Sequence, residues 1–277
     1  MSLDRIRLAS LHDKVMNAEQ AAAFIQDGMT VGMSGFTRAG EAKAVPLALV
    51  KRAKADPLKI TLITGASLGN DLDKQLTEAG VLARRLPFQV DNTLRKAINK
   101  GEVMFIDQHL SETVEQMRNL QLKKPDVAII EAVAITEDGG IIPTTSVGNS
   151  ASFAIFAEKV IVEINTNLSP AFEGLHDIYI PSYRPTRQPI PLTEVDERIG
   201  TQAINIDPSK IVGIVINSEF HDSPSTVTEP DDETQGIANH LIAFFEKEVA
   251  EDRLPKNLGP LQAGIGSIAN AVLTGLK

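Results

Sequence analysis

The chain has 277 residues, 43% of them hydrophobic, with no Cys, no Trp and a formal net charge of −9. This length suits one large or two small domains around a core of Ala, Ile, Leu and Val. The absence of Cys excludes disulfides and thiolate sites. The acidic balance argues against an extended nucleic-acid footprint but leaves room for a small anion held by backbone amides.

No apolar run reaches the roughly 20 residues of a membrane span. The opening "MSLDRIRLASLHDKV" carries no apolar core of signal type, so a soluble, cytoplasmic protein is expected. Taken in chain order, a helix is expected over 17–27, then a buried strand in "MTVGMSG" (29–35) and a helix over 44–55. A second strand follows in "KITLITGAS" (59–67), with helices over 71–79, 93–100 and 111–121. "PDVAIIEAVAI" (125–135) is a third strand, 150–158 a helix, and "KVIVEIN" (159–165) and "KIVGIVIN" (210–217) two more strands. Apolar runs without polar alternation suit parallel strands covered on both faces. Residues 168–200, with five prolines and no helical period, are expected to be an ordered loop. The strongest helix begins near Asp231, with Ile237, Leu241, Phe245 and Val249 on one face and an acidic first turn. A last helix starts about Ser267 with Ile268, Val272 and Leu276 as its buried stripe. Strand–helix alternation of this kind predicts an α/β fold with an open, mostly parallel sheet flanked by helices.

Glycine punctuates three strand ends, in "GMSGFTRAGEAKAVP", "TGASLGND" and "EDGGIIPTTSVGNS". Each alone is a chain reversal; three in corresponding places point to a shared ligand cleft beyond the carboxyl ends of the strands. No G-x-x-x-x-G-K-[ST] and no G-x-G-x-x-G occurs, which speaks against an NTPase or a dinucleotide site. No G-x-S-x-G surrounds Ser67, Ser146 or Ser150, and the five histidines lack ligand spacing, so neither a serine hydrolase nor a metal site is indicated. In "LQAGIGSIANAVLTGLK" (261–277), the amides of residues 264–267 open a helix and can face an anion or a developing oxyanion. A tight packing turn that binds nothing accounts for the same glycines.

Five segments together carry a resemblance: "SGFTRAG" (34–40), "ITGASLG" (63–69), "AITEDGGIIPTTSVGNS" (134–150), "AEKVIVEIN" (157–165) and "RLPKNLGPLQAGIGSIANAVLTGL" (253–276). In these the chain resembles the acetyl-CoA hydrolase/transferase family, which includes succinyl-CoA:acetate CoA-transferases of class I. The resemblance implies a CoA-transferase-like fold, related to sugar-phosphate isomerase-like folds, with residues 1–260 as an N-terminal α/β domain. Residues 261–277 become a glycine turn and helix leading to a C-terminal domain or partner subunit outside this chain.

The resemblance further implies coenzyme A as a substrate, in the form of acyl-CoA, with a small carboxylate or water as acceptor, no metal and a homo-oligomer. Leu261, Gln262, Ala263, Gly264, Ile265 and Gly266 are expected along the CoA thioester, with the Ile265 amide as oxyanion donor. The substrate pocket is expected at Ser34, Gly35, Phe36 and Thr37; at Thr64, Gly65, Ala66 and Ser67; and at Ser146, Val147, Gly148 and Asn149. The nucleophilic glutamate of the family falls beyond residue 277; Glu131, Glu137 and Glu163 precede the motif and do not match it. Arg38, Arg184 and Arg187 are candidates for a substrate carboxylate by charge alone, and a solvated surface position is the commoner reading of each. The alternative function is a non-covalent sugar-phosphate or CoA-binding module of the same fold.

Overall fold

The computed structural model describes residues 3–194, 196–222, 229–259, 261–264 and 266–276. The chain forms two compact units, Met1–Ser223 and Pro224–Lys277. The first is an α/β sheet domain. Its strands are β1 (Thr30–Met33), β2 (Ile60–Ile63), β3 (Leu82–Leu86), β4 (Met104–Phe105), β5 (Val127–Ile135), β6 (Ile141–Pro143), β7 (Lys159–Asn165) and β8 (Ile211–Asn217). Its helices are α1 (Ala18–Ala22), α2 (Ala44–Ala55), α3 (Leu72–Glu78), α4 (Asn92–Asn99), α5 (Leu110–Arg118) and α6 (Ser150–Phe156). The strand order is β4-β3-β2-β1-β5-β7-β8, parallel throughout, with β6 hydrogen-bonded antiparallel to β5. The open, mostly parallel sheet expected from the sequence is present.

Side chains alternate between the two sheet faces, so each strand feeds two cores. Val31 and Met33, Val127 and Ile129, Ile161 and Val215 pack with α1 to α4. Ala128, Ile130, Ala132, Val160, Val162 and Ile214 pack on the other face with Phe153 and Ala154 of α6 and Met117 of α5. All nine residues of β5 are buried, as a central parallel strand requires. On the same alternation Glu131, Glu163, Asn165 and Asn217 fall on the face covered by α2.

The five apolar runs all form strands, and three further strands were not anticipated. β3 carries Arg84 and Arg85 at its centre, β4 is two residues at the sheet edge, and β6 lies in a stretch resembling a loop. The first helix stops at Ala22 instead of running to 27, because Arg52 Nη1 takes the carbonyl oxygens of Ala22 and Ile25 at 2.8 and 2.7 Å. Among the described residues of 168–200 there is no helix or strand beyond one short 3₁₀ turn at Pro170–Phe172, in keeping with the prolines.

The second unit holds α7 (Asp232–Ala250) and α8 (Ser267–Gly275). Asp231 caps α7 by accepting the Thr234 amide at 2.8 Å. The apolar stripe expected on α7 is only partly covered: Ile237 and Leu241 are exposed, Phe245 and Val249 half-buried, and the buried positions are Thr234 and Ala238. On α8 the buried residue is Ala271, whereas Ile268 is exposed and Val272 and Leu276 are half-buried. Two helices alone have too little surface to enclose both stripes, so helical period located the elements but not their covered faces. No helix among the described residues is long and apolar enough to cross a membrane.

Candidate active site

The chain builds the sheet outward from β1 to β4, then returns to β5 and builds in the opposite direction. The order therefore reverses between β1 and β5, the position where open α/β sheets form a crevice at their carboxyl ends. Three loops interlock over this crest. Ser34 Oγ, just past β1, accepts the Asn149 amide at 2.9 Å, and Asn149 Nδ2 donates to Thr64 O, just past β2, at 3.3 Å. The Thr37 amide donates to Ser67 O at 3.2 Å, and Ser146 Oγ to Ala39 O at 2.9 Å. Glycine permits this approach: a Cβ on Gly65 would stand 2.8 Å from Ser34 Oγ, and one on Gly148, at φ +49°, would collide with the same oxygen.

Of the expected pocket residues, Ser34, Gly35, Thr64, Gly65, Ala66 and Ser67 are buried in this junction. Thr37, Ser146, Val147 and Asn149 are half-buried, Gly148 is exposed, and the Phe36 ring is 55% exposed at the loop tip. The three loops meet with amides and hydroxyls engaged with one another and with Phe36 exposed at the tip of the first.

Beneath the loops lies a buried charged network. Lys43 Nζ contacts Glu131 Oε2 and Asp222 Oδ1, each at 2.7 Å, and donates to Glu41 O at 2.6 Å. Glu163 accepts the amides of Lys43, Ala44 and Val45 at 2.9, 2.9 and 3.1 Å, capping α2 from a neighbouring strand. Glu131 and Glu163 sit side by side in register on β5 and β7, and Asn165 and Asn217 likewise on β7 and β8. Asn165 Nδ2 donates to Glu131 Oε1 at 2.5 Å, and Asn217 Nδ2 to Glu163 Oε1 at 3.1 Å. Glu41 Oε1 accepts from the Gly69 amide and Asn70 Nδ2. Asp222 ties the first loop to the third, its Oδ1 near the Gly40 amide and its Oδ2 accepting Thr145 Oγ1 at 3.1 Å.

Four carboxylates here face one ammonium. Burial pushes the Glu131 carboxyl up to about 7, because desolvation disfavours its charged form more than Lys43 favours it. Burial likewise raises Glu41 and Glu163, the latter against its three amide donors. Lys43 is raised despite its burial, since Glu131, Asp222 and Glu41 all hold the ammonium. A second buried pair supports the middle loop: Arg85 Nε and Nη2 reach Asp73 Oδ1 and Oδ2 at 2.8 and 3.0 Å, while Nη1 donates to Thr64 Oγ1 at 2.8 Å.

Sequence reasoning passed over these groups. The available signal was a lone carboxylate within an otherwise apolar strand, in "VAIIEAVAI" and "KVIVEIN"; such a residue is buried only when partnered. Glu137, by contrast, is an exposed turn residue that pairs with Arg7. In the second unit, Leu261, Gln262, Ala263, Gly264 and Gly266 are solvent-exposed, with Gly266 opening α8 at φ +131°. Ile265, the expected oxyanion donor, lies outside the described residues. Among the described residues no group of His, Cys, Asp or Glu is arranged to hold a metal ion.

Comparison with known proteins agrees with this architecture. The family model for the acetyl-CoA hydrolase/transferase N-terminal domain matches residues 2–216. A succinyl-CoA:acetate CoA-transferase of Clostridium kluyveri is 46% identical over 274 residues, covering 98% of this chain and 51% of that protein. An acetyl-CoA hydrolase of Kluyveromyces lactis is 43% identical over 284 residues, covering 99% and 54%. The chain thus spans about half the length of the curated relatives it matches. Among solved structures, RipA of Yersinia pestis superposes with a TM-score of 0.63 at 19% identity, covering 100% of this chain and 55% of that one, a likeness of fold alone. With its family model matched over residues 2–216 and relatives more than 40% identical along nearly its whole length, the chain belongs to the acetyl-CoA hydrolase/transferase family.

Proposed function

We propose that this chain is the N-terminal part of an acetate- or succinyl-type CoA-transferase or acetyl-CoA hydrolase, moving CoA between an acyl-CoA and a carboxylate or water. The observation that carries the reading is the interlocking of the three glycine loops at the β1/β5 crest in a chain 46% identical to a succinyl-CoA:acetate CoA-transferase. In the proposed chemistry a glutamate carboxylate attacks the thioester carbonyl, the C–S bond breaks, and CoA leaves as thiolate from an acyl-glutamyl anhydride. The thiolate then attacks the glutamyl carbonyl and expels the carboxylic acid as carboxylate, leaving a glutamyl-CoA thioester. An incoming carboxylate reverses these steps, and water in its place gives hydrolysis. The covalent intermediates conserve the thioester and divide one difficult exchange into easier ones.

In this scheme the glutamate comes from beyond residue 277. The turn Leu261–Gly266 lies along the thioester with the Ile265 amide as oxyanion donor, a role worth about 3 kcal/mol in the transition state. The loops at Ser34–Thr37, Thr64–Ser67 and Ser146–Asn149 shape the acyl and carboxylate pocket. The chain is assigned a homo-oligomer.

The test is thermal stabilisation of the 277-residue chain by CoA and acetyl-CoA against a panel of sugar phosphates, alongside turnover with succinyl-CoA and acetate. Stabilisation by CoA esters with negligible turnover is expected. Stabilisation by sugar phosphates only would favour a non-covalent module, and robust turnover would overturn the assignment of the nucleophile to a segment outside residues 1–277.

A further inference from the structure

Beside the third glycine loop, a cavity of about 330 Å³ opens between α5, the start of α6 and residues 177–181. This volume lies in the range of small-molecule sites. Its apolar walls include Val114, Val147, Ile178 and Ile180. Its charged lining is Glu115, Asp177, Arg118 and Arg187, and Glu115 is also approached by Arg184 from outside the lining. Arg118 Nη1 lies 2.9 Å and Arg187 Nη1 3.3 Å from Glu115 Oε1, and Arg184 Nε lies 3.8 Å from Oε2. The second lining carboxylate, Asp177, is engaged by the amides of Ile199 and Gly200. Two guanidiniums, Arg118 and Arg187, thus balance the two carboxylates of the lining, and the exposed Arg184 beside Glu115 adds positive charge at its rim.

The hydrogen-bond donors are in surplus. Each guanidinium presents five N–H groups. Arg118 is held rigidly, its side chain 3% exposed and its Cζ 5.1 Å from the centroid of the Tyr183 ring. Its other acceptor is Ser182 O at 3.4 Å, and its Nε is buried with no partner among the described residues. Arg187 is one-third exposed and spends one Nη1 hydrogen bond on Glu115, leaving other N–H groups of its guanidinium for a ligand. A buried cation with unused donors in an apolar cavity favours an anion that brings its own acceptors.

We propose that this cavity is a subsite for the carboxylate or phosphate group of a small organic anion, recognised by Arg187 and by Arg118. The walls suit the hydrocarbon or ring that carries the group, and Val147 and Gly148 place it next to the loop that binds Ser34. Resting on the function proposed above, the anion has two possible sources: the far carboxylate of a dicarboxylic acyl group or acceptor, or a phosphate of the CoA nucleotide. All lining residues that the structure describes belong to the unit Met1–Ser223.

Calorimetric titration of the 277-residue chain with succinate, acetate and 3′,5′-ADP separates the sources. Saturable binding of succinate in preference to acetate assigns a dicarboxylate; preferential binding of 3′,5′-ADP assigns the nucleotide phosphate. In either case Arg187→Gln, at a one-third-exposed position, and Arg118→Gln are each expected to weaken binding at least tenfold where circular dichroism shows the variant folded. Lys51→Gln, at an exposed position on α2 on the other face of the sheet, should leave binding unchanged. Absence of saturable binding by all three anions, or binding indifferent to Arg187→Gln, would overturn the proposal. Anion binding through Arg187 without any response to acetyl-CoA would keep the subsite and sink the CoA reading; a response to acetyl-CoA with no anion binding through Arg187 would do the reverse.

Discussion

Replacing Glu131 by Gln tests whether the buried network stores protons at neutral pH. In the folded protein the Glu131 carboxyl is raised to about 7, against an ordinary value of 4.5. A raised carboxyl means that the folded state holds its proton more tightly than the unfolded chain does. The stability it contributes is therefore full below about pH 4.5 and lost as pH rises through 7. At 1.36 kcal/mol per pH unit the whole difference amounts to about 3 kcal/mol, of which about 2–3 kcal/mol is lost between pH 5 and 8. Glu131→Gln keeps the acceptor for Asn165 Nδ2 and the side-chain volume but cannot ionise. Urea denaturation of both proteins at pH 5, 6, 7 and 8 should show the wild type losing stability with rising pH more steeply than the variant, by about 2–3 kcal/mol over that span. Parallel curves would refute the claim that desolvation outweighs the Lys43 ammonium at this carboxyl.

Asp73→Ala removes the only carboxylate bonded to the fully buried Arg85 among the described residues, and breaking such a pair costs about 3–5 kcal/mol by chemical denaturation. The double substitution Asp73→Leu with Arg85→Met should recover much of that loss, because no isolated charge remains. Gly148→Ala should destabilise by about 2 kcal/mol, combining a left-handed backbone with a collision at Ser34 Oγ. Gly28→Ala, at φ +76° with open space around it, carries only the backbone cost, and Ser34→Ala should restore part of the Gly148→Ala loss. In calorimetry or thermal shift, acetyl-CoA is expected to stabilise the chain where sugar phosphates do not.

The strands most readily legible from sequence were the long, almost wholly apolar runs, because burial on both faces leaves its mark on nearly every position of "PDVAIIEAVAI". β3 was missed because Arg84 faces solvent and Arg85 pairs with Asp73, so neither charge signals a strand by itself. The glycine loops were legible because close approach restricts residue type: at Gly65 and Gly148, Ser34 leaves no space for a Cβ. What they close upon was not legible, since Asp222, far along the chain from Gly40 and Thr145, joins both only in the folded state.

By itself the sequence determined the alternating elements, the parallel character of the sheet and the family, all properties of local pattern and residue type. Tertiary structure alone decided which face each charge occupies and which charges meet. Glu131 and Glu163 become neighbours through strand register, Lys43 reaches Glu131, and Asp222 reaches Lys43 from a loop far along the chain. Such meetings depend on distance in space and on the exclusion of water, neither of which a linear pattern encodes.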